Sequence, residues 1–223
     1  MRKVLRLVPG ERILLLDGCG RSGEFSIERM EKQLVRLEPV SISTHPEPVG
    51  RIFLAAAYTR AARRGFMLEK AVELEAGGIW FWQAEHSQAL MPSSPSEHWR
   101  EQLMAGSKQS LNPWMPELKT LPEGAQGVCA ASNRFSRRFL LWEEADKENL
   151  LSFTDLSGSE DVIFVMGPEG GLSGKEVNIF QDQNFKTVSL GRRILRWETA
   201  AVLCMGLGWW AGQSKNEPNP GAT

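Results

Sequence analysis

The sequence predicts an α/β protein in which a mostly parallel, doubly wound sheet follows a small β domain. Three features carry that reading. From residue 50 onward strand-like and helix-like runs alternate with short connections, as a parallel sheet with helical crossovers requires. The first forty residues break instead into short β segments, punctuated by Pro9-Gly10 and by Asp17-Gly18-Cys19-Gly20. Finally, the glycine-rich GPEGG, 167–171, directly follows the apolar run VIFVM and precedes a helix-like segment, which puts backbone freedom at the end of a buried strand.

Taken in order, residues 1–48 are expected to form the β domain. Pro39, Pro46 and Pro48 read as a linker, because proline interrupts both ladders and helices. The α/β domain is expected over 49–212. Its runs are RIFLAAAY (strand), GFMLEKAVELEA (helix), GIWFWQAE (strand) and PSEHWREQLMAGSKQS (helix). GVCAAS then reads as a strand before a polar helix near 139–149. DVIFVM is a strand before a helix after Gly174, and KTVSLG a strand before the helix ETAAVLCMGLGWW. The tail, 213–223, is expected to be disordered.

Composition narrows the function. In 223 residues, 26 Lys and Arg nearly balance 27 Asp and Glu, so any nucleic-acid surface must be local. Cys19, Cys129 and Cys204 are odd in number and far apart, which fits neither a disulfide framework nor a zinc knuckle and points to a reducing cytosol. No apolar run is long enough to span a membrane, and the start of the chain lacks a secretory pattern, so a cytoplasmic protein is expected. His45, His86 and His98 have no metal-ligand spacing, and no metal is expected.

The GPEGG turn is not a triphosphate loop: that pattern would need glycine at 169 and a hydroxyl at 176, and the chain has Glu169 and Glu176. The dinucleotide fingerprint and the nucleophile elbow are absent there as well. A second informative stretch, SLGRRILRWETAA, is locally cationic: Arg192, Arg193 and Arg196 follow the strand end at Leu190-Gly191. Two glycine turns after two strands, one carrying Glu169 and the other Arg196, predict a shared pocket at the carboxyl ends of the sheet. The three arginines either meet an RNA phosphate there or pair with Glu169, Glu176 or Glu198. Other basic runs, Arg60-Arg63-Arg64 and Arg134-Arg137-Arg138, read as solvated faces.

GPEGGLSGKEV followed by VSLGRRILRWETAA resembles the paired signature of the ribosomal RNA small subunit methyltransferase E family, of the SPOUT superfamily. The likeness runs through most of 50–211, including FMLEKAVELEAGGI, Ser87 and HWREQLMAGSKQS. It implies an S-adenosylmethionine-dependent enzyme that methylates N3 of a uridine in small-subunit ribosomal RNA or the assembling small subunit. It also implies a SPOUT-type parallel sheet with a C-terminal trefoil knot, a PUA-like β-barrel in front, and a homodimer. By correspondence the cofactor lies against Met166, Gly167, Glu169, Gly170 and Gly171, and against Leu190, Gly191, Ile194, Leu195 and Arg196, with Thr199 and Ala200 opening the last helix. Arg196, Glu169 and Glu198 are then the candidate catalytic residues. Arg196 would be a fixed cation near the acceptor base or its phosphate; either carboxylate would accept a proton, orient the base or bond backbone N–H groups.

Beside Glu75, which stands where glycine is usual, the chain departs from the family in three places. The barrel is expected to be truncated, because members usually carry a further strand before the segment matching VLRLVPGERILLLDG. Asn112 stands where an arginine is usual, and Trp197 where threonine or serine is usual. The first two motivate a rival reading: a non-catalytic RNA-binding or ribosome-assembly protein that retains the fold.

Overall fold

The computed structural model describes residues 7–213 apart from 33, 60, 144 and 146–148. The expected tail therefore lies outside the described residues from 214 on, and Gln213 is the last residue of a helix rather than the first of a tail.

β1 (Arg12–Leu16), β2 (Arg21–Met30) and β3 (Val35–Thr44) form an antiparallel sheet in that order. Its described strands make an open sheet, with Ile27 buried and much of β3 exposed. Pro39 is not in a linker; it sits inside β3 opposite Phe25, where the register shifts. An edge strand with a bulge is where a residue without an N–H is tolerated.

The second sheet contains β4 (Ile52–Ala57), β5 (Gly78–Trp82), β6 (Glu117–Leu121), β7 (Arg137–Leu141), β8 (Val162–Met166) and β9 (Lys186–Val188). The order is β6-β5-β4-β8-β7-β9, and every pairing is parallel. Its crossovers carry α1 (Ala61–Glu73), α2 (Glu97–Ser110), α3 (Gly124–Ala131), α4 (Phe153–Leu156) and α5 (Gly174–Asp182), and α6 (Trp197–Gln213) follows β9. β4, β5 and β8 are buried along their whole length, so their sequences read as unbroken apolar runs. Alternate residues serve opposite faces: Leu54 and Ala56 join the core under α1, α2 and α6, while Phe53, Ala55 and Ala57 join the core under α3 and α5.

Two expectations fail here. GVCAAS is the end of α3 and the turn after it, and the expected helix near 139–149 begins as strand β7. Small residues packed on β5 satisfied the strand pattern without forming a strand.

The two sheets are joined by the Asp17–Gly20 turn. The Gly20 N–H donates to the Pro113 carbonyl at 3.0 Å, and the Met115 N–H donates to the Gly18 carbonyl at 3.0 Å. Trp114 donates its indole N–H to the Pro46 carbonyl at 3.0 Å. Asn112 holds this joint from below: its amide donates to the Val72 carbonyl near the end of α1, and its side-chain oxygen accepts the Trp114 N–H, both at 2.9 Å.

Candidate functional site

β8 delivers Met166 to the carboxyl end of the sheet, and the chain turns through residues 167–171 into α5. The Gly171 N–H closes the turn on the Pro168 carbonyl at 3.0 Å, and Gly171 has a φ of 77°, a conformation that a side chain would strain. The helix after it begins with a reciprocal cap: the Ser173 hydroxyl accepts the Glu176 N–H, and Glu176 accepts the Ser173 N–H at 2.8 Å. The other Glu176 oxygen accepts the Glu85 N–H at 2.9 Å. Glu176 is thus a buried cap and a tie to the loop after β5, not a partner of the arginines. In that loop His86 Nδ1 lies 3.2 Å from the Gly171 carbonyl, and a Cβ on Gly170 would stand 3.2 Å from that of His86.

The second turn follows β9. The Ser189 N–H donates to the Asn149 carbonyl at 2.9 Å, and the Ser189 hydroxyl bonds both the N–H and the C=O of Gly191. The two turns face each other across a cavity of about 590 Å³. Met166, Gly167, Glu169, Gly170, Gly171, Leu190, Gly191, Ile194, Leu195, Arg196 and Ala200 all line it. Of the residues expected from sequence, Thr199 and Glu198 do not. Thr199 is exposed on the first turn of α6, and the side chain of Glu198 turns toward α1 instead.

The carboxylates are paired differently from the sequence expectation. Arg63, on α1, bonds Glu169 Oε1 through Nη1, and its Nε lies 3.7 Å from Glu198 Oε2. Thr59 donates its hydroxyl to the same Glu169 oxygen at 2.6 Å. Burial works to raise the Glu169 carboxyl, but the Thr59 bond, a backbone N–H and the Arg63 cation together hold it below the usual carboxylate range. Arg192, Arg193 and Arg196 are exposed and make no ion pair among the described residues, so pairing with Glu169, Glu176 or Glu198 is not their role. They leave a cationic lip on one wall of the cavity.

Sequence reasoning missed Arg63, and it missed the wall after β7 formed by Trp142, Glu143 and Ala145. Nothing in a run of arginines separates the two neighbours Arg63 and Arg64. A step of about 100° on the helix sends one to the cavity and buries the other. The Arg64 guanidinium packs 4.2 Å from the Tyr58 ring centre and bonds the Thr59 carbonyl. Arg60 lies outside the described residues. Arg134, ion-paired to Glu117, packs over Phe53, Trp80 and Phe135, away from the cavity. Trp197 is buried, lines the cavity, and its indole N–H has no partner among the described residues. Also among the described residues, no helix is long and apolar enough to cross a membrane, and no group of three or more His, Cys, Asp and Glu residues is placed to hold a metal.

A six-stranded parallel sheet with one large cavity across its carboxyl ends, walled by two glycine turns, defines an α/β enzyme domain of the ligand-binding kind. The family model of the RNA methyltransferase domain matches residues 45–209. The chain belongs to that family, within the ribosomal RNA small subunit methyltransferase E group. It is 27% identical over 191 residues to the ribosomal RNA small subunit methyltransferase E of Mesomycoplasma hyopneumoniae, covering 84% of this chain and 82% of the relative. A Legionella pneumophila methyltransferase structure with S-adenosylmethionine bound is similar at a TM-score of 0.82 and 25% identity, over 94% of this chain and 87% of that one. An rRNA methyltransferase structure from Porphyromonas gingivalis gives 0.83 and 27%, over 96% and 90%.

Proposed function

We propose that the protein transfers a methyl group from S-adenosylmethionine to N3 of a uridine in small-subunit ribosomal RNA, acting in the cytoplasm as a homodimer. The observation that carries this reading is the cavity between the two glycine turns, with Arg192, Arg193 and Arg196 on its lip and in no ion pair among the described residues. The residues fit the cofactor. A volume of about 590 Å³ suits a molecule of that size. Val188, Leu190, Leu195 and Ala200 offer an apolar wall for a purine, and Glu143 a carboxylate for hydroxyls. The main-chain N–H groups of Ile194 and Leu195 have no partner among the described residues, which leaves them open to a base. Met166 and Gly167, Gly170 and Gly171 would form the facing wall.

When bound, the cofactor supplies a methyl group already activated on a sulfonium. The protein's task is then to hold the acceptor in line and keep water out. Arg196 is the cation available to stabilise the uridine imide anion once N3 has lost its proton, or to hold its phosphate. Glu169, committed to Thr59 and Arg63, is an orienting group rather than a proton acceptor. Arg192 and Arg193 supply the local positive potential that a nearly neutral chain otherwise lacks. A base held in folded RNA must leave its stack to enter such a cavity.

The finer architecture belongs to the same reading. The loops 167–171 and 190–196 are the segments that would thread as a trefoil knot, and the N-terminal sheet would serve as a reduced PUA-like RNA-binding domain. Leu203, Leu207 and Trp210 are exposed at 36%, 37% and 64%, at i, i+4 and i+7 on α6, and this stripe supports a dimer across that helix. The rival, a non-catalytic RNA-binding protein, drew on Asn112, whose hydrogen bonds give it a structural task instead.

Calorimetric titration with S-adenosylmethionine and its demethylated product tests the cofactor. Radiolabelled transfer to small-subunit RNA, followed by nucleoside mass spectrometry, tests the reaction. Methylation at another atom overturns the substrate; binding without transfer favours the rival.

A further inference from the structure

We infer that Arg63 is a positioning residue, a clamp that joins the 167–171 loop to the first turn of α6 by bridging Glu169 and Glu198. The inference rests on the cofactor reading above. Three segments distant in sequence meet at this guanidinium: α1 supplies the cation, the loop after β8 supplies Glu169, and α6 supplies Glu198. The loop forms one wall of the cavity, and Arg196, Trp197 and Ala200, around the start of α6, belong to the other. Whatever fixes the distance between these segments fixes the shape of the site.

Charge makes the clamp necessary. The two carboxylates are each only about one-fifth exposed, at 20% and 21% of their side-chain surface, and both reach the same guanidinium. Without the cation, two half-buried negative charges face each other across the seam and push the loop from the helix. Glu198 Oε2 has no hydrogen bond among the described residues, so Arg63 is the charge that compensates it. Arginine suits the position because its planar fork reaches one carboxylate with Nη1 and the other with Nε, which a lysine ammonium cannot do at once. Thr59 holds Glu169 Oε1 from the strand side and fixes the carboxylate that Arg63 grips.

The test measures binding of S-adenosylhomocysteine to the full chain by calorimetry, with thermal melting as the control for folding. Arg63→Ala is expected to raise Kd about tenfold or more. Arg63→Lys, which keeps charge but loses the bridge, should fall between it and the wild type. The decisive variant is Arg63→Ala with Glu169→Gln. It cannot rebuild the clamp but removes the repulsion and keeps an acceptor for Thr59, so it should bind more tightly than Arg63→Ala alone. In methyl transfer to small-subunit RNA at saturating donor, Arg63→Ala should lower kcat and leave the RNA KM within about twofold. If the wild type itself does not bind, the cofactor reading fails. If it binds and Arg63→Ala binds equally well, the clamp is wrong. If Arg63→Ala is weak and the double variant no better, Arg63 contacts the ligand directly and the clamp is again overturned. Should Arg63→Ala not fold, unchanged affinity in Arg63→Lys overturns the clamp.

Discussion

Arg196 and Glu169 stand on facing walls of the cavity, and their charges are engaged differently. The motifs place them in the two glycine turns; only the third segment, carrying Thr59 and Arg63, divides their work. Arg196 has no ion pair among the described residues, so removing it should cost chemistry and not folding. Arg196→Ala is expected to keep cofactor affinity and lose transfer by about 10²–10³-fold, as expected for a lost preorganised charge. Single-turnover methylation beside calorimetry checks both halves. Glu169 carries a prediction about acid stability. Its carboxyl is held below the ordinary range in the fold, so the unfolded chain takes up the proton first. Its stabilising contribution is therefore fully present at neutral pH and is lost as pH falls through the ordinary carboxylate range toward the folded value. Glu169→Gln should flatten that part of a denaturation-versus-pH curve and leave the neutral limb parallel; an unchanged acid limb would show that the carboxylate is not held as its partners require.

At the scale of elements, what could be read from sequence depended on how much of each element is buried. β4, β5 and β8 lie inside the sheet, and their continuous apolar runs are visible in any window. β6 is an edge strand, half-exposed throughout, and ELKTL carries two charges; β7 opens on Arg137 and Arg138. Neither looks like a buried strand. α3, rich in small apolar residues, took the place of one of them in the sequence reading. α6 was placed correctly because its small and apolar residues extend over four turns; of its paired tryptophans, Trp209 is half-buried and Trp210 exposed. The stripe of Leu203, Leu207 and Trp210 stands exposed on the single chain. Trp210→Glu should therefore shift sedimentation toward a monomer at micromolar concentrations, without a large change in melting temperature of the dissociated chain. If the wild type is already monomeric, neither this interface nor a site shared between subunits exists.

For the whole molecule, the proposed function requires the small sheet and the cavity to keep a fixed relation, because RNA held by one would have to reach the other. The sequence marks the DGCG turn and the Asn112 departure as separate oddities; in the fold they belong to one joint. Asn112 fixes Trp114, and the indole of Trp114 lies where a side chain at position 20 would be. Gly20 has a φ of 91°, and a Cβ there would stand 2.2 Å from the Trp114 ring. Two independent constraints thus demand glycine: the left-handed backbone and the aromatic contact. Gly20→Ala must displace Trp114, which strains the Gly20 bond to Pro113 and the Trp114 bond to Pro46 that hold the sheets together. The cavity is built from the carboxyl ends of β7, β8 and β9 with α6, and contains no residue of the joint. The variant is therefore expected to bind S-adenosylhomocysteine as the wild type does, while limited proteolysis near 45–51 accelerates and RNA affinity falls. Equal loss of cofactor and RNA binding would mean that the joint stabilises the whole chain. Unchanged RNA binding with faster proteolysis would mean that the small sheet does not guide the substrate.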